Sequence, residues 1–359
     1  MIKLIPSLLL CLAALGLSAQ RSVQELYLGN EGEEKPDWFT AYCNGDYERA
    51  YQLLLTQTEA PPKAQFLANA FQYAHRKKAL QQEGLDIWAW DFYQKYGKPS
   101  ANFKGGDAAV LPLERNLFLA TRGADTLRVL FDTGGHGISI SKHLVEKYDL
   151  PTDTSITGTS YMPAFKRVST TSPTVIDRIN FGGIELSNLP AQYTVDVQED
   201  GQFASQQKYD VFMGIDILVG LIDYVRFDWE TKELTLSKEA LEMQQPQPFF
   251  FFDSKPITVL YLDQEPLSAL FDTGSPVDIL NRSFYEDRYT QKEEKKYGNY
   301  AYHVYTVPLL VGASEFDLGV ADYMEGFDLK LDGEVIDLII GTGHQRLTLD
   351  LVHNRLAVE

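Results

Sequence analysis

Leu130-Phe131-Asp132-Thr133-Gly134 recurs 140 residues later as Leu270-Phe271-Asp272-Thr273-Gly274. From average residue usage, an Asp-Thr-Gly tripeptide arises at roughly one position in five thousand, so two chance copies in one chain are improbable. The flanks match as well. Each copy follows a strand-like run, Leu127-Arg128-Val129 in one case and Leu267-Ser268-Ala269 in the other. Apolar residues recur at equal offsets after the acid: Ile140 with Leu280, and Leu144 with Phe284. Late in each half an apolar run stops at glycine, Val211-Phe212-Met213-Gly214 and Leu338-Ile339-Ile340-Gly341. A last strand pair follows each, near residues 225–236 and 347–358, and each half opens on one strand, near 112–120 and 256–261. Short β-branched and aromatic runs broken by turn residues fill the whole span. The pattern predicts a duplicated β unit, residues 103–243 and 249–359, joined by a Gln/Pro linker at 244–248.

A carboxylate at a strand end, followed by glycine, can project into a cleft, because glycine has no Cβ to hold two backbones apart. Threonine can hydrogen-bond across to the partner loop. Two such loops would bring Asp132 and Asp272 face to face. Like charges that close cannot both ionise, so the pair would share one proton. The ionised member could draw a proton from a water, and the protonated member could donate to a carbonyl oxygen under attack. A duplicated structural turn is the simpler alternative.

The two Asp-Thr-Gly turns, each followed by an apolar-apolar-Gly run, resemble the aspartic peptidases, pepsin-like and retropepsin-like, over residues 103–359. The resemblance implies two pseudo-symmetric β-barrel lobes with Asp132 and Asp272 as the catalytic dyad. It implies supporting roles for Thr133, Gly134, Thr273, Gly274 and Ser275. It also implies a β-hairpin flap, with Gly158 and Tyr161 as the flap residues, and a polypeptide substrate bound extended. No cofactor or metal is expected.

Two departures stand out. The family usually has Ser, Thr or Ala after Asp-Thr-Gly; Ser275 fits and Gly135 does not. A Ser275 hydroxyl on Asp272 would favour its ionised form and leave the shared proton on Asp132. The family's short helix after the apolar-Gly run is expected at Ile215-Asp216-Ile217-Leu218. It is not expected at Thr342-Gly343-His344-Gln345, so the second lobe looks trimmed.

Upstream, residues 21–102 carry a helical pattern, with Phe66, Ala70, Phe71 and Ala74 at spacings of three and four. Gly45-Asp46-Tyr47-Glu48-Arg49-Ala50 with Pro62 resembles half of a tetratricopeptide repeat, and a small helical bundle fits the same pattern. His75-Arg76-Lys77-Lys78 is expected to be a solvated helix face, or else a basic segment docked on the β region to shield its cleft. Phe249-Phe250-Phe251-Phe252 is expected to be a buried strand. Lone His136 and His344 are expected to be surface or packing residues.

Residues 1–20 form a signal-peptide pattern: Lys3, an apolar run over residues 8–17, then Ser18-Ala19-Gln20. A soluble protein exported to a periplasm or the outside is expected, with Cys43 as its single thiol. The formal net charge is −18, and after residue 102 there are 22 Lys and Arg against 39 Asp and Glu. So acidic a surface argues against nucleic acid or anionic membrane as partner. The function expected is endopeptidase activity through Asp132 and Asp272. The alternatives are a peptide-binding module that keeps the fold without turnover, and a scaffold whose helical region holds a protein partner. A carboxylate-pair glycosidase is more remote.

Overall fold

The computed structural model describes residues 23–28, 35–56, 64–77, 88–162, 167–199, 209–281, 291–297, 300–311, 314–322, 330–331, 334–342 and 344–359. The signal-peptide pattern lies outside these residues. The chain is mostly β, with two pseudo-symmetric barrel lobes preceded by a small helical region.

The symmetry is visible in strand order. In the first lobe the sheet runs Asp125–Asp132, Val211–Gly214, Ile138–Ile140, Ile184–Glu199, Arg167–Phe181, Gly158–Met162. In the second it runs Glu265–Phe271, Leu338–Ile340, Asp278–Leu280, Ser314–Asp322, Tyr300–Val311, Gln291–Tyr297. The apolar-Gly strand therefore slots between the strand before the acid and the strand after it in both halves. It pairs parallel to the former, through Phe131↔Met213 and Phe271↔Ile340. It pairs antiparallel to the latter, through Ser139↔Phe212 and Ile279↔Ile339. Strands buried on both faces need continuous apolar runs, which is why these segments read as Val-Phe-Met and Leu-Ile-Ile rather than alternating. Each sheet closes on itself through an extra pairing, Thr121↔Asn180 in one lobe and Leu262↔Leu309 in the other.

The lobes are joined by a shared sheet. Tyr224–Asp228 from the first pairs with Arg346–Asp350 from the second, with Val225 opposite Leu349 and Phe227 opposite Leu347. Arg346 bonds Asp228 across that seam at 2.9 Å and Glu359 of its own lobe at 2.7 Å. Residues 247–248 are not free linker, since they pair with Leu356 and Arg355. The single opening strand expected near 112–120 is two strands, Ala108–Glu114 and Leu117–Arg122. Arg115 between them turns the chain at φ +60°.

The helices Asp37–Cys43, Tyr47–Leu55 and Ala64–Lys77 do not form a separate core. They lie on the Phe249-Phe250-Phe251-Phe252 run, all four fully buried, in one contiguous apolar cluster with both lobes. Phe39 meets Phe250 at 5.3 Å, Tyr73 meets Phe251 at 5.3 Å, and Phe66 meets Phe252 at 5.8 Å between ring centroids. The Tyr42 hydroxyl donates to the Phe251 carbonyl at 2.9 Å, and Asn354 Nδ2 donates to the Tyr42 carbonyl at 3.0 Å. Such edge-to-face contacts add to the large area that each ring buries. Gly45, at φ +74°, marks the closest approach, where a Cβ would overlap the Val352 carbonyl.

His75 and Arg76 correct the solvated-face expectation. They are only 5% and 4% exposed. His75 stacks between Phe71 and Tyr93 at 5.4 and 5.3 Å, and Arg76 reaches the first lobe. A basic run on an amphipathic helix says nothing about whether another layer covers it. Cys43 carries no disulfide, and burial pushes its thiol up to about 12, so it is a packing residue.

Phe39→Ala, which empties the seat between Phe66 and Phe250, is expected to cost about 3–5 kcal/mol in urea denaturation. Far-UV circular dichroism and tryptophan fluorescence should report one common transition, because helices and barrels share their core.

Candidate active site

Thr133 and Thr273 are buried, at 0% and 3% exposure, and they link the lobes by four crossed hydrogen bonds. The Thr133 amide donates to Thr273 Oγ1 at 3.0 Å, and the Thr273 amide donates to Thr133 Oγ1 at 3.0 Å. Thr133 Oγ1 then donates to the Phe271 carbonyl at 2.6 Å, and Thr273 Oγ1 to the Phe131 carbonyl at 3.0 Å. Every donor and acceptor in this knot is satisfied by the opposite lobe. Serine has the same polar atoms, but threonine's β-branch leaves fewer rotamers to select.

The knot sets the acids opposite each other. A Cβ placed on Gly134 would overlap the Asp272 carboxyl, and one on Gly274 would lie 2.5 Å from Asp132 Oδ2. Each glycine is therefore the floor beneath the other lobe's acid. Each also orients its own acid: Gly134 N–H donates to Asp132 Oδ1 at 3.0 Å, and Gly274 N–H to Asp272 Oδ1 at 2.8 Å. Each carboxyl group thus lies against the opposite acid's loop, close enough for the two to interact. Burial first, and then the Asp272 carboxyl beside it, pushes the Asp132 carboxyl well above its usual range, against the pull of the Gly134 and Gly274 amides.

Two further carboxylates, which the repeat comparison did not single out, tie each acid loop to the apolar-Gly strand. In the first lobe Asp216 Oδ1 accepts from Gly137 N–H at 3.0 Å. In the second, Asp278 Oδ1 accepts from Gly341 N–H at 2.8 Å and contacts His344 Nε2 at 3.2 Å. The two tethers run in opposite directions, one from the apolar-Gly side and one from the acid-loop side. Aligning the halves residue by residue does not superpose them. Asn116, also missed, donates from Nδ2 to the Thr273 carbonyl at 3.0 Å.

The departures at positions 135 and 275 have a packing cause. A side chain at Gly135 would strike the ring end of Phe212, whereas the second lobe has Ile339 at the matching place in its apolar-Gly strand. The Ser275 hydroxyl donates to the Val277 carbonyl at 2.6 Å. It is therefore engaged within its own loop, which corrects the expectation that it acts on Asp272. The short helix expected after Gly214 is a 3-10 turn over Ile215–Leu218. Among the described residues none follows Gly341.

Gly158 and Tyr161 lie in Gly158–Met162, which pairs with Arg167–Phe181 as a hairpin, Gly158↔Thr171 and Tyr161↔Val168. Its turn lies outside the described residues. Gly158 borders a cavity of about 340 Å³ shared with His136, Gly137, Asp216 and Gln72. The hairpin base thus stands beside the Asp132 loop. The second lobe has an equivalent hairpin, Gln291–Tyr297 with Tyr300–Val311. The charged run Lys292-Glu293-Glu294-Lys295-Lys296 hides its strand pattern in the sequence. His136 is exposed, as expected, while His344 is a half-buried partner of Asp278.

Gly135→Ser is expected to destabilise by about 1–3 kcal/mol through overpacking, with Phe212→Ile restoring most of the loss; thermal unfolding of the two variants and their combination checks the coupling. A second expectation concerns pH. A raised folded-state value for Asp132 means that the folded chain holds more protons than the unfolded one. Stability from this group is then present in acid and lost as pH rises towards the raised value. Wild type should lose stability relative to Asp132→Asn as pH rises above about 4, the ordinary carboxylate value. Identical pH slopes of the two melting curves would show that the carboxyl is not perturbed.

No match was found among curated proteins. Residues 119–216, which hold the first Asp-Thr-Gly turn and the Phe212-Met213-Gly214 strand, match a family model described as aspartyl protease, and this match supports an aspartic peptidase relationship for the chain.

Proposed function

We propose that the protein is an exported, bilobal aspartic endopeptidase whose dyad is Asp132 and Asp272. The observation that carries this reading is the crossed packing of Gly134 on the Asp272 carboxyl and of Gly274 on Asp132. It sets two acids from separate lobes around one point, half-buried rather than sealed in the core.

In this reading Asp132 holds the shared proton, in keeping with its raised value, and Asp272 is the ionised member. A water lies between them. Asp272 takes one of its protons as the oxygen attacks the scissile carbonyl carbon, and Asp132 gives its proton to the carbonyl oxygen. The tetrahedral diol collapses when the proton on Asp272 passes to the leaving nitrogen and a diol hydroxyl returns its proton to Asp132. The C–N bond breaks to an acid and an amine, and the dyad ends as it began. General acid–base steps of this kind contribute about 10²- to 10⁴-fold each.

Gly158–Met162 and Gln291–Tyr297 end the strand orders of their lobes. Their outer backbone edges suit an extended polypeptide that adds as a strand. Gly158 and Tyr161 then belong to one flap, and the second hairpin forms its counterpart, which favours a retropepsin-like arrangement.

The test is cleavage of a denatured protein at acidic pH, with and without a statine-type inhibitor. Asp132→Asn and Asp272→Asn are each expected to lower kcat by at least about 100-fold, with the fold intact by circular dichroism. A folded wild type that neither cleaves nor binds the inhibitor would leave the peptide-binding reading instead. N-terminal sequencing of the secreted chain checks export, with cleavage expected after Ala19 or Gln20.

A further inference from the structure

We propose that Arg76, on the Ala64–Lys77 helix outside both lobes, is a positioning residue for the Asp132 loop; this rests on the dyad reading above. Its Nη1 donates to the Asp216 carbonyl at 2.6 Å and to the Ile217 and Val219 carbonyls at 3.3 Å each. These carbonyls lie at the end of the Ile215–Leu218 turn, where a cation is well placed, and that of Asp216 also accepts from the Val219 amide at 3.3 Å. Arginine is always charged, and its planar guanidinium brings Nη1 to all three carbonyls at once.

The turn is bound directly to the acid loop. Asp216, 6% exposed, accepts from Gly137 N–H, and Gly214 N–H donates to the Gly137 carbonyl at 2.7 Å. A Cβ on Gly214 would lie 2.6 Å from Asp216 Oδ1 and 2.7 Å from the Gly135 carbonyl. With no slack at those contacts, a shift of the turn must carry residues 135–137 with it, and Asp132 sits three residues before them. The second lobe differs. Its tether, Asp278, is met at 3.2 Å by the His344 ring from the same lobe. The first lobe takes its cation from the helical region, 140 residues upstream of Asp216.

Burying a guanidinium is costly, and an apolar residue could fill the same space. Keeping Arg76 there makes sense if the exact seat of the turn matters more than stability. The helical region is then neither a passive appendage nor a cleft-blocking segment. It is a third body that completes the first lobe's half of the site.

The experiment uses the full-length chain as wild type, Arg76→Met and Arg76→Lys, with Arg178→Met as a surface control. Three quantities are read: kcat and KM on a peptide substrate, the Asp132 titration by carboxyl-¹³C NMR assigned through its loss in Asp132→Asn, and the melting curve. For Arg76→Met the expected result is a fall in kcat of about 10- to 100-fold with KM within about twofold. Its Asp132 titration should move down towards the ordinary carboxylate range as the loop loosens and admits water. Arg76→Lys should fall between wild type and Arg76→Met on both readouts while melting cooperatively. It keeps the proposal testable if the methionine variant does not fold. Folded variants with wild-type kcat and an unmoved Asp132 titration would overturn the proposal, leaving Arg76 as packing alone. A wild type without turnover would remove the peptidase reading, and the titration would still decide the role of Arg76.

Discussion

The crossed threonine knot is the constraint on which the rest of the molecule depends. Thr133 and Thr273 exchange all their hydrogen bonds with the opposite lobe, and no water competes with them in their buried position. Breaking one side leaves buried donors and acceptors unpaired on the other, at about 1–3 kcal/mol per group. The knot also fixes a distance. Once it forms, Gly134 and Gly274 must pass beneath the opposing carboxyls, and no other residue type fits there.

That geometry imposes an electrostatic cost, and the surrounding packing bears it. Two carboxyls held in contact cannot both ionise, and burial disfavours the charge further, so the Asp132 side remains protonated well above its usual range. The fold holds them there through three supports at increasing distance: the knot itself, the Asp216 and Asp278 tethers, and the sheet that Tyr224–Asp228 shares with Arg346–Asp350. The lobes can therefore differ in detail, with a 3-10 turn in one and none described in the other, while the two acid loops keep the same form.

The helical region fits the same logic. It meets the lobes through aromatic rings on the Phe249-Phe250-Phe251-Phe252 run and through one buried arginine behind the Asp132 loop. The aromatic contacts supply attachment. The arginine supplies registration, because its Nη1 is bonded to three carbonyls at the turn at once. The second lobe's tether is met by His344 of the same lobe, so the two halves are not equivalent in what they require from the rest of the chain.

The sequence alone determined the two-lobed β architecture, the paired acid loops, the supporting threonines, the buried phenylalanine strand and the unequal ends after Gly214 and Gly341. All of these are written in short-range patterns, turn chemistry and apolar runs that repeat at a fixed offset, and such patterns can be read without knowing what lies opposite. Only the tertiary structure decided what Ser275 bonds, why position 135 must be glycine, and which carboxylates tether the loops. It alone showed that His75 and Arg76 lie inside. Each of those depends on a partner elsewhere in the chain or on a layer that covers a face. A residue's own neighbours record its polarity, but not whether solvent, a ring or a carbonyl will meet it after the chain closes.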